Sequence, residues 1–318
     1  MLQDIMKVYR DLEELKGIKN PVVTTGSFDG VHVGHKVIIS RLKKLARDIN
    51  GETVLITFYP HPRRVLYPDA EGKDLLMINT QREKIWLLEK TGIDHLIIVN
   101  FTREFSMISS HDFIEKVLAD LLKVKVVVVG FNHHFGHRRE GDFESLYNLG
   151  KIYGFEVEEI PEQDIQNESV SSTRIRAALL QGNIQRANAY LDHFYIIKTI
   201  LQPSPDLPAF SALRFYKLHP EENVKLCPPD GVYAVNVEGK GFFEKGMLVI
   251  SGWGIQDSYM SPNLMTILHL PHYEKDIAGE DVTLYFHKCV RSGVNGNGIQ
   301  LSDNYFRNDL KEIEELIY

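Results

Sequence analysis

The sequence predicts an α/β protein whose first part is a doubly wound parallel sheet and whose last part is a small β-rich domain closed by a terminal helix. Three observations predict it. Short β-rich runs alternate with amphipathic stretches over the first ~190 residues, the βαβα order that builds a parallel sheet with ligand at the carboxyl ends of its strands. The run Val126–Val129 has no polar alternation, as expected of a strand covered on both faces. Near Phe194 the pattern changes to short strands and one final amphipathic segment.

The strands predicted in the first part are Val22–Phe28, Thr53–Phe58, His95–Asn100, Lys125–Gly130 and Phe155–Ile160. Val37, Ile38, Leu42, Leu45 and Ile49 recur at helical spacing after the first strand. Thr80-Gln81-Arg82-Glu83 has the form of a capping box opening a helix that runs to about Lys90, before Gly92. A third helix is expected from about His111 to Leu122. Pro203, Pro205 and Pro208 mark a linker or domain-entry loop. Beyond it, strands are expected at Gly231–Glu238, Phe242–Ser251 and Val282–Lys288, with a helix over Asn304–Tyr318 carrying Leu310, Ile313, Leu316 and Ile317 on one stripe. A small β-barrel or sandwich fits. The expected domains are residues 1–193 and 194–318.

The 318 residues suffice for two cores. A net charge of -7 argues against a protein that lives on nucleic acid or an anionic membrane. Cys227 and Cys289 form no ligand spacing and are expected to be reduced thiols. No apolar run reaches membrane length, and the N-terminus lacks a signal pattern. The expectation is a cytoplasmic protein acting on small molecules.

The densest chemical signal is Gly26-Ser27-Phe28-Asp29-Gly30-Val31-His32-Val33-Gly34-His35, directly after the apolar run Pro21–Thr25. Glycine lets backbone N–H groups approach an anion, and a helix N-terminus presents unpaired donors and a positive dipole end. Histidine adds a donor that titrates near neutrality. This combination suits a triphosphate; the plainer reading is a strand–helix turn whose histidines cap and pack. Ser171-Ser172-Thr173 before Arg174-Ile175-Arg176 reads as another helix start, serving either phosphate or a solvated basic helix.

His32-Val33-Gly34-His35 resembles the HxGH signature of the nucleotidyltransferase superfamily, whose members share a Rossmann-like domain. The chain resembles most closely its prokaryotic FAD synthetase branch, which usually carries riboflavin kinase on a second domain. Four further blocks match that branch in order: Thr57–Pro62, Asn100–Phe105, Val129–Gly136 and Val170–Arg176. The resemblance implies that His32, His35 and Arg174 carry catalysis. It implies that Gly26, Ser27, Phe28, Asp29, Gly34, Ser172, Thr173 and Arg176 serve ATP. Phe58, Pro60, His61, Pro62, Asn100 and Phe101 would serve FMN, and Gly130 and Asn132 would be further cofactor-binding residues. Mg²⁺ would neutralise the departing pyrophosphate. The family's Asp-Phe-Arg is replaced here by Asn132-His133-His134, trading charge for hydrogen-bonding and titratable groups. The tandem histidines lack a third ligand at standard spacing, so no protein metal centre is expected.

The second part departs further from the family. Its Pro-Thr-Ala-Asn element is missing between Tyr195 and Ala212, and Leu264 or Met265 stands where the catalytic glutamate belongs. Neither side chain can accept a proton. Riboflavin kinase activity is therefore expected to be absent or very weak, although Pro229–Val235 and Ile277–Phe286 resemble barrel strands of the family. Three other readings stay open: a fully bifunctional riboflavin kinase/FMN adenylyltransferase, another HxGH enzyme acting on a cytidylyl or pantetheine-phosphate substrate, and a flavin or nucleotide sensor without turnover.

Overall fold

The computed structural model describes residues 5–15, 17–69, 72, 75–131, 134–165, 168–204, 213–218, 221–251, 265–293 and 303–316. Contacts group the chain into two units. One holds Met1–Leu75 and Lys84–Val170, and the other holds Leu76–Glu83 and Ser171–Tyr318.

The first unit is built on a six-stranded sheet, parallel throughout: β1 (Lys7–Tyr9), β2 (Val22–Thr25), β3 (Thr53–Tyr59), β4 (His95–Asn100), β5 (Val126–Gly130) and β6 (Glu156–Ile160). Their spatial order is β1-β4-β3-β2-β5-β6. The chain winds outward from β2 through β3 and β4, then restarts on its other side with β5 and β6. The strand order therefore reverses between β2 and β5, which is where open α/β sheets bind ligands. The chain's helices are α1 (Val33–Asp48), α2 (Pro62–Leu66), α3 (Gln81–Thr91), α4 (Ser110–Asp112, continuing as a π-helix over Phe113–Leu121), α5 (Phe143–Tyr153), α6 (Ser172–Leu180), α7 (Ile184–Leu191) and α8 (Asp303–Leu316). A two-stranded hairpin pairs β7 (Asp164–Ile165) with β8 (Glu168–Ser169).

Period-two alternation explains both faces of the sheet. Val126 and Val128 join Leu42 and Ala46 of α1 in one core, whereas Val127 and Val129 join Ile114, Leu118 and Leu146 in another. The unbroken valine run is thus a strand buried on both sides. β2 stops three residues earlier than the sequence suggests. Phe28 (φ 49°), Gly30 (φ 91°) and Val31 (φ 42°) are left-handed, which a strand does not tolerate.

The second unit carries a seven-stranded antiparallel sheet of β9 (Tyr195–Ile200), β10 (Gln202–Pro203), β11 (Tyr216–Lys217), β12 (Gly231–Gly239), β13 (Phe242–Ser251), β14 (Met265–His269) and β15 (Asp281–Ser292), in the order β10-β11-β14-β13-β12-β15-β9. It curls as a half-barrel. Register shifts between β12 and β15 at Val232/Tyr233 and Ala234/Val235 add local twist. Phe306 and Ile313 of α8 cover Val232, Ala234, Met247, Val249 and Ile267. Tyr195, Tyr233 and Phe286 form an aromatic cluster, with edge contacts at 5.1 and 5.7 Å. Leu264 and the 205–212 stretch lie outside the described residues. No described helix is long and apolar enough to cross a membrane.

The segment Leu76–Glu83 groups with this second unit. Met77 bridges Lys225 in parallel, with Met77 N–H donating to the Val224 carbonyl and Leu226 N–H to the Met77 carbonyl, both at 2.7 Å. The expected capping box is present: Glu83 Oε2 accepts from Thr80 N–H (2.9 Å) and Thr80 Oγ1 accepts from Glu83 N–H (3.2 Å).

Candidate active site

At the carboxyl end of β2, Gly26 N–H donates to the Ile56 carbonyl of β3 (3.0 Å), and the chain then turns sharply into α1. Two left-handed non-glycine residues make that turn strained, at a cost of about 1–3 kcal/mol each. Burial holds it: Phe28 and Val31 are almost inaccessible, at 2 % and 1 % exposure. Phe28, Asp29, Gly30 and Val31 thus fold back under the turn, and His32 becomes the N-cap of α1 without capping it through its side chain. Its backbone carbonyl accepts from Lys36 N–H (3.0 Å).

The two signature imidazoles come together. His32 and His35 stack with ring centroids 3.7 Å apart and planes 19° apart, and Phe28 packs at a tilt against His35 at 4.6 Å. Gly34 lies between them in sequence, and a Cβ there would meet the His32 ring at 3.4 Å. Burial, then the neighbouring His32, then Lys84 push the His35 pKa well below the ordinary imidazole value. His35 is accordingly neutral at physiological pH. Its Nδ1 is buried with no hydrogen-bond partner.

The neighbouring strand ends supply an aromatic wall. Phe58 near the end of β3 meets Phe101, just past β4, edge-on at 5.6 Å, and Phe105 packs against both at 6.1 and 5.6 Å. All three are half-buried. Phe101 N–H donates to the Tyr59 carbonyl (3.0 Å), and the Tyr59-Pro60 bond is cis. His61 caps α2, with Nδ1 accepting from Arg63 N–H (3.2 Å), and Pro62 is its first helical residue. Asn100 is exposed at the end of β4. Gly130 ends β5, and a Cβ there would meet Ile38 at 3.1 Å. Asn132 and His133 lie outside the described residues.

The sheet therefore brings Gly26–His35, Phe58–Pro62, Asn100–Phe101 and Gly130 to one edge. Ser172, Thr173, Arg174 and Arg176 belong to the other contact unit. There Ser171 is the N-cap of α6, accepting from Arg174 N–H (3.4 Å), so the expected helix start exists with Ser171 as its cap. Thr173 and Arg174 are exposed, while Arg176 is half-buried and its Nε donates to the Leu76 carbonyl (2.8 Å).

Sequence reading sets Phe105 beside Asn100 and Phe101 on the FMN side and includes Thr57 in a matching block without giving it a role, but it misses Lys84. Lys84 carries no pattern signal, because only tertiary packing puts its Nζ 3.3 Å from both the Ser27 carbonyl and Thr57 Oγ1. No group of three or more His, Cys, Asp or Glu among the described residues could hold a metal ion. Magnesium does not fit here as an ion caged by protein ligands, although it is compatible with an ion carried in on phosphate oxygens.

The comparisons agree with this geometry. The family model described as FAD synthetase matches residues 16–174, and the one described as riboflavin kinase matches 217–317. A bifunctional riboflavin kinase/FMN adenylyltransferase from Buchnera aphidicola (Schizaphis graminum) is 31 % identical, over 90 % of this chain and 91 % of its own. Its namesake from Escherichia coli K12 is 29 % identical over 90 % of each, and that from Bacillus subtilis is 31 % identical over 92 % and 90 %. A solved structure described as a macrolide-efflux protein from Streptococcus pneumoniae superposes with a TM-score of 0.82 over 98 % of both chains at 24 % identity, which speaks for the fold alone. With the HxGH pair at the switch point and both family models matched in order, the chain belongs to the FAD synthetase family of nucleotidyltransferases and carries a riboflavin-kinase-family region after it.

Proposed function

We propose that the parallel-sheet unit transfers AMP from ATP to FMN, giving FAD and pyrophosphate. The observation that carries this reading is the stacked His32–His35 pair at the mouth of the switch-point turn, where His35 Nδ1 is buried without a hydrogen-bond partner. An FMN phosphate oxygen attacks the α-phosphorus and forms the new P–O bond. The bond from that phosphorus to the bridging oxygen of the β-phosphate breaks, and its electron pair leaves with pyrophosphate. No proton need be removed from the attacking phosphate oxygen at neutral pH, and no covalent enzyme intermediate forms.

The chain's contribution is positioning and charge stabilisation. The His32 and His35 imidazoles donate to oxygens on which negative charge grows, and α1 adds its N-terminal N–H groups; the family resemblance assigns Arg174 to the leaving group. Phe58, Phe101 and Phe105 provide an apolar aromatic cluster against which an isoalloxazine ring would pack. The quoted flavin-branch blocks favour FMN over a cytidylyl or pantetheine-phosphate acceptor. ATP and FMN are the substrates, Mg²⁺ would enter on the triphosphate, and no step here depends on it.

For residues 194–318 two readings stand. The loss of the Pro-Thr-Ala-Asn element and of a carboxylate at Leu264/Met265 favours a kinase domain that has lost its activity. The riboflavin kinase family match at 217–317, and relatives whose names carry both activities, favour a fully bifunctional enzyme. One experiment tests both halves: pyrophosphate and flavin products are measured with FMN and riboflavin as separate acceptors, on the full chain and on the His32→Ala, His35→Ala double variant. FAD and pyrophosphate from FMN, lost in the variant, are expected. Tight ligand binding without turnover would instead favour the sensor reading. FMN from riboflavin at a rate matching FAD formation would establish the bifunctional alternative.

A further inference from the structure

Lys84 lies beneath the Gly26–His35 turn with 8 % of its surface exposed. A buried ammonium is costly unless its protons find acceptors. Two of them go to one place: Nζ donates to the Ser27 carbonyl and to Thr57 Oγ1, both at 3.3 Å, and Thr57 Oγ1 donates to the same Ser27 carbonyl at 3.1 Å. The Ser27 carbonyl is thus held by a cation from α3 and a hydroxyl from β3. In a trans peptide the N–H points opposite to the C=O. Pinning that carbonyl therefore directs the Phe28 N–H away from Lys84 and Thr57, at the residue whose left-handed φ makes the turn. Phe28 is also the ring that packs on His35 at 4.6 Å, so the peptide Lys84 holds carries the aromatic wall of the imidazole stack.

The geometry points to Lys84 as a positioning residue for adenylyl transfer, a buried cation that pins the Ser27–Phe28 peptide so that the turn and the stacked imidazoles meet the triphosphate in one fixed arrangement. This rests on the adenylyl-transfer reading above. A second consequence is electrostatic. The charged or titratable groups acting on His35 are His32 at the cap of α1 and Lys84 from α3, and both oppose its protonation. Removing Lys84 takes away the smallest of the three causes and leaves burial and His32 still opposing protonation, so the shift it produces is upward and partial.

Lys84→Met keeps the length of the side chain and removes the charge. With FMN and ATP it is expected to lower kcat about 100-fold and to change the KM for ATP by less than about threefold. The acid limb of the pH–rate profile should move to higher pH. Independently of turnover, the ring-proton NMR titration of His35 should move up towards the ordinary imidazole range. Should Lys84→Met not fold, Thr57 carries the test. Thr57→Ser retains the hydroxyl and should keep the wild-type rate, whereas Thr57→Val should lose about tenfold. A folded Lys84→Met with wild-type kcat and an unmoved His35 titration overturns the inference, as does Thr57→Val matching Thr57→Ser. A wild-type chain that forms no FAD defeats the adenylyl-transfer reading instead, and the His35 titration then still decides the role of Lys84.

Discussion

Lys225 in the antiparallel unit and His35 in the parallel one both place a nitrogen where water does not reach, and the two are treated differently. Lys225 Nζ donates to Glu83 Oε2 (2.6 Å) and to the Ile78 and Ile196 carbonyls (2.7 and 2.8 Å), and it faces the Tyr195 ring at 4.4 Å. Glu83 in turn accepts from Thr80 N–H and Lys198 N–H (both 2.9 Å). Neither side chain of the pair is exposed at all. Every proton of that ammonium has an acceptor, so the network ties the Leu76–Glu83 segment to the sheet of its own unit. His35 has the opposite character: a depressed basicity, a buried Nδ1 without a partner, and a strained turn beneath it. A completed polar network is a structural fastening, whereas an incomplete one beside strained backbone is the kind of place the proposed function assigns to a ligand.

The largest expected effect breaks the fastening. Lys225→Met leaves Glu83 buried without its cation and should cost about 3–5 kcal/mol, read as a lowered urea midpoint. A loss below about 1 kcal/mol would remove the contrast. His35→Ala should lower FAD formation about 10²- to 10³-fold with little change in unfolding midpoint, the reverse of the Lys225 result. Phe58→Ala should raise the KM for FMN by an amount equivalent to about 0.5–1.5 kcal/mol while leaving the KM for ATP alone, which steady-state kinetics resolves.

The smallest effect is a pH dependence of stability. The folded-state pKa of His35 lies below its unfolded value, so the unfolded chain takes up the proton first as pH falls. Stability should therefore be full above about pH 6.5 and decline below it. His35→Phe should flatten that decline in urea titrations run across the acid range.

The elements legible from sequence are those whose pattern is local. His95–Asn100 and Phe242–Ser251 occupy the predicted residues, and the Thr80–Glu83 box opens α3 as its spacing indicated. The HxGH turn was legible as a strand-to-helix turn, because glycine, histidine and a following amphipathic helix are adjacent in the chain. The edge strand Lys7–Tyr9 was not, since three residues carry too little period and only pairing with β4 makes them a strand. The π-helical stretch Phe113–Leu121 reads as ordinary helix, because its apolar spacing serves either winding.

The sequence by itself determined the alternation of strands and helices, the place of the histidine pair, and the family, all of which depend on residues close together in the chain. Tertiary structure alone decided that Leu76–Glu83 groups with the antiparallel unit through Lys225, more than 140 residues away. It alone decided that Lys84 reaches under a turn 57 residues before it. A buried ammonium chooses its acceptors by proximity in space, and separation along the chain leaves no periodic trace of that choice.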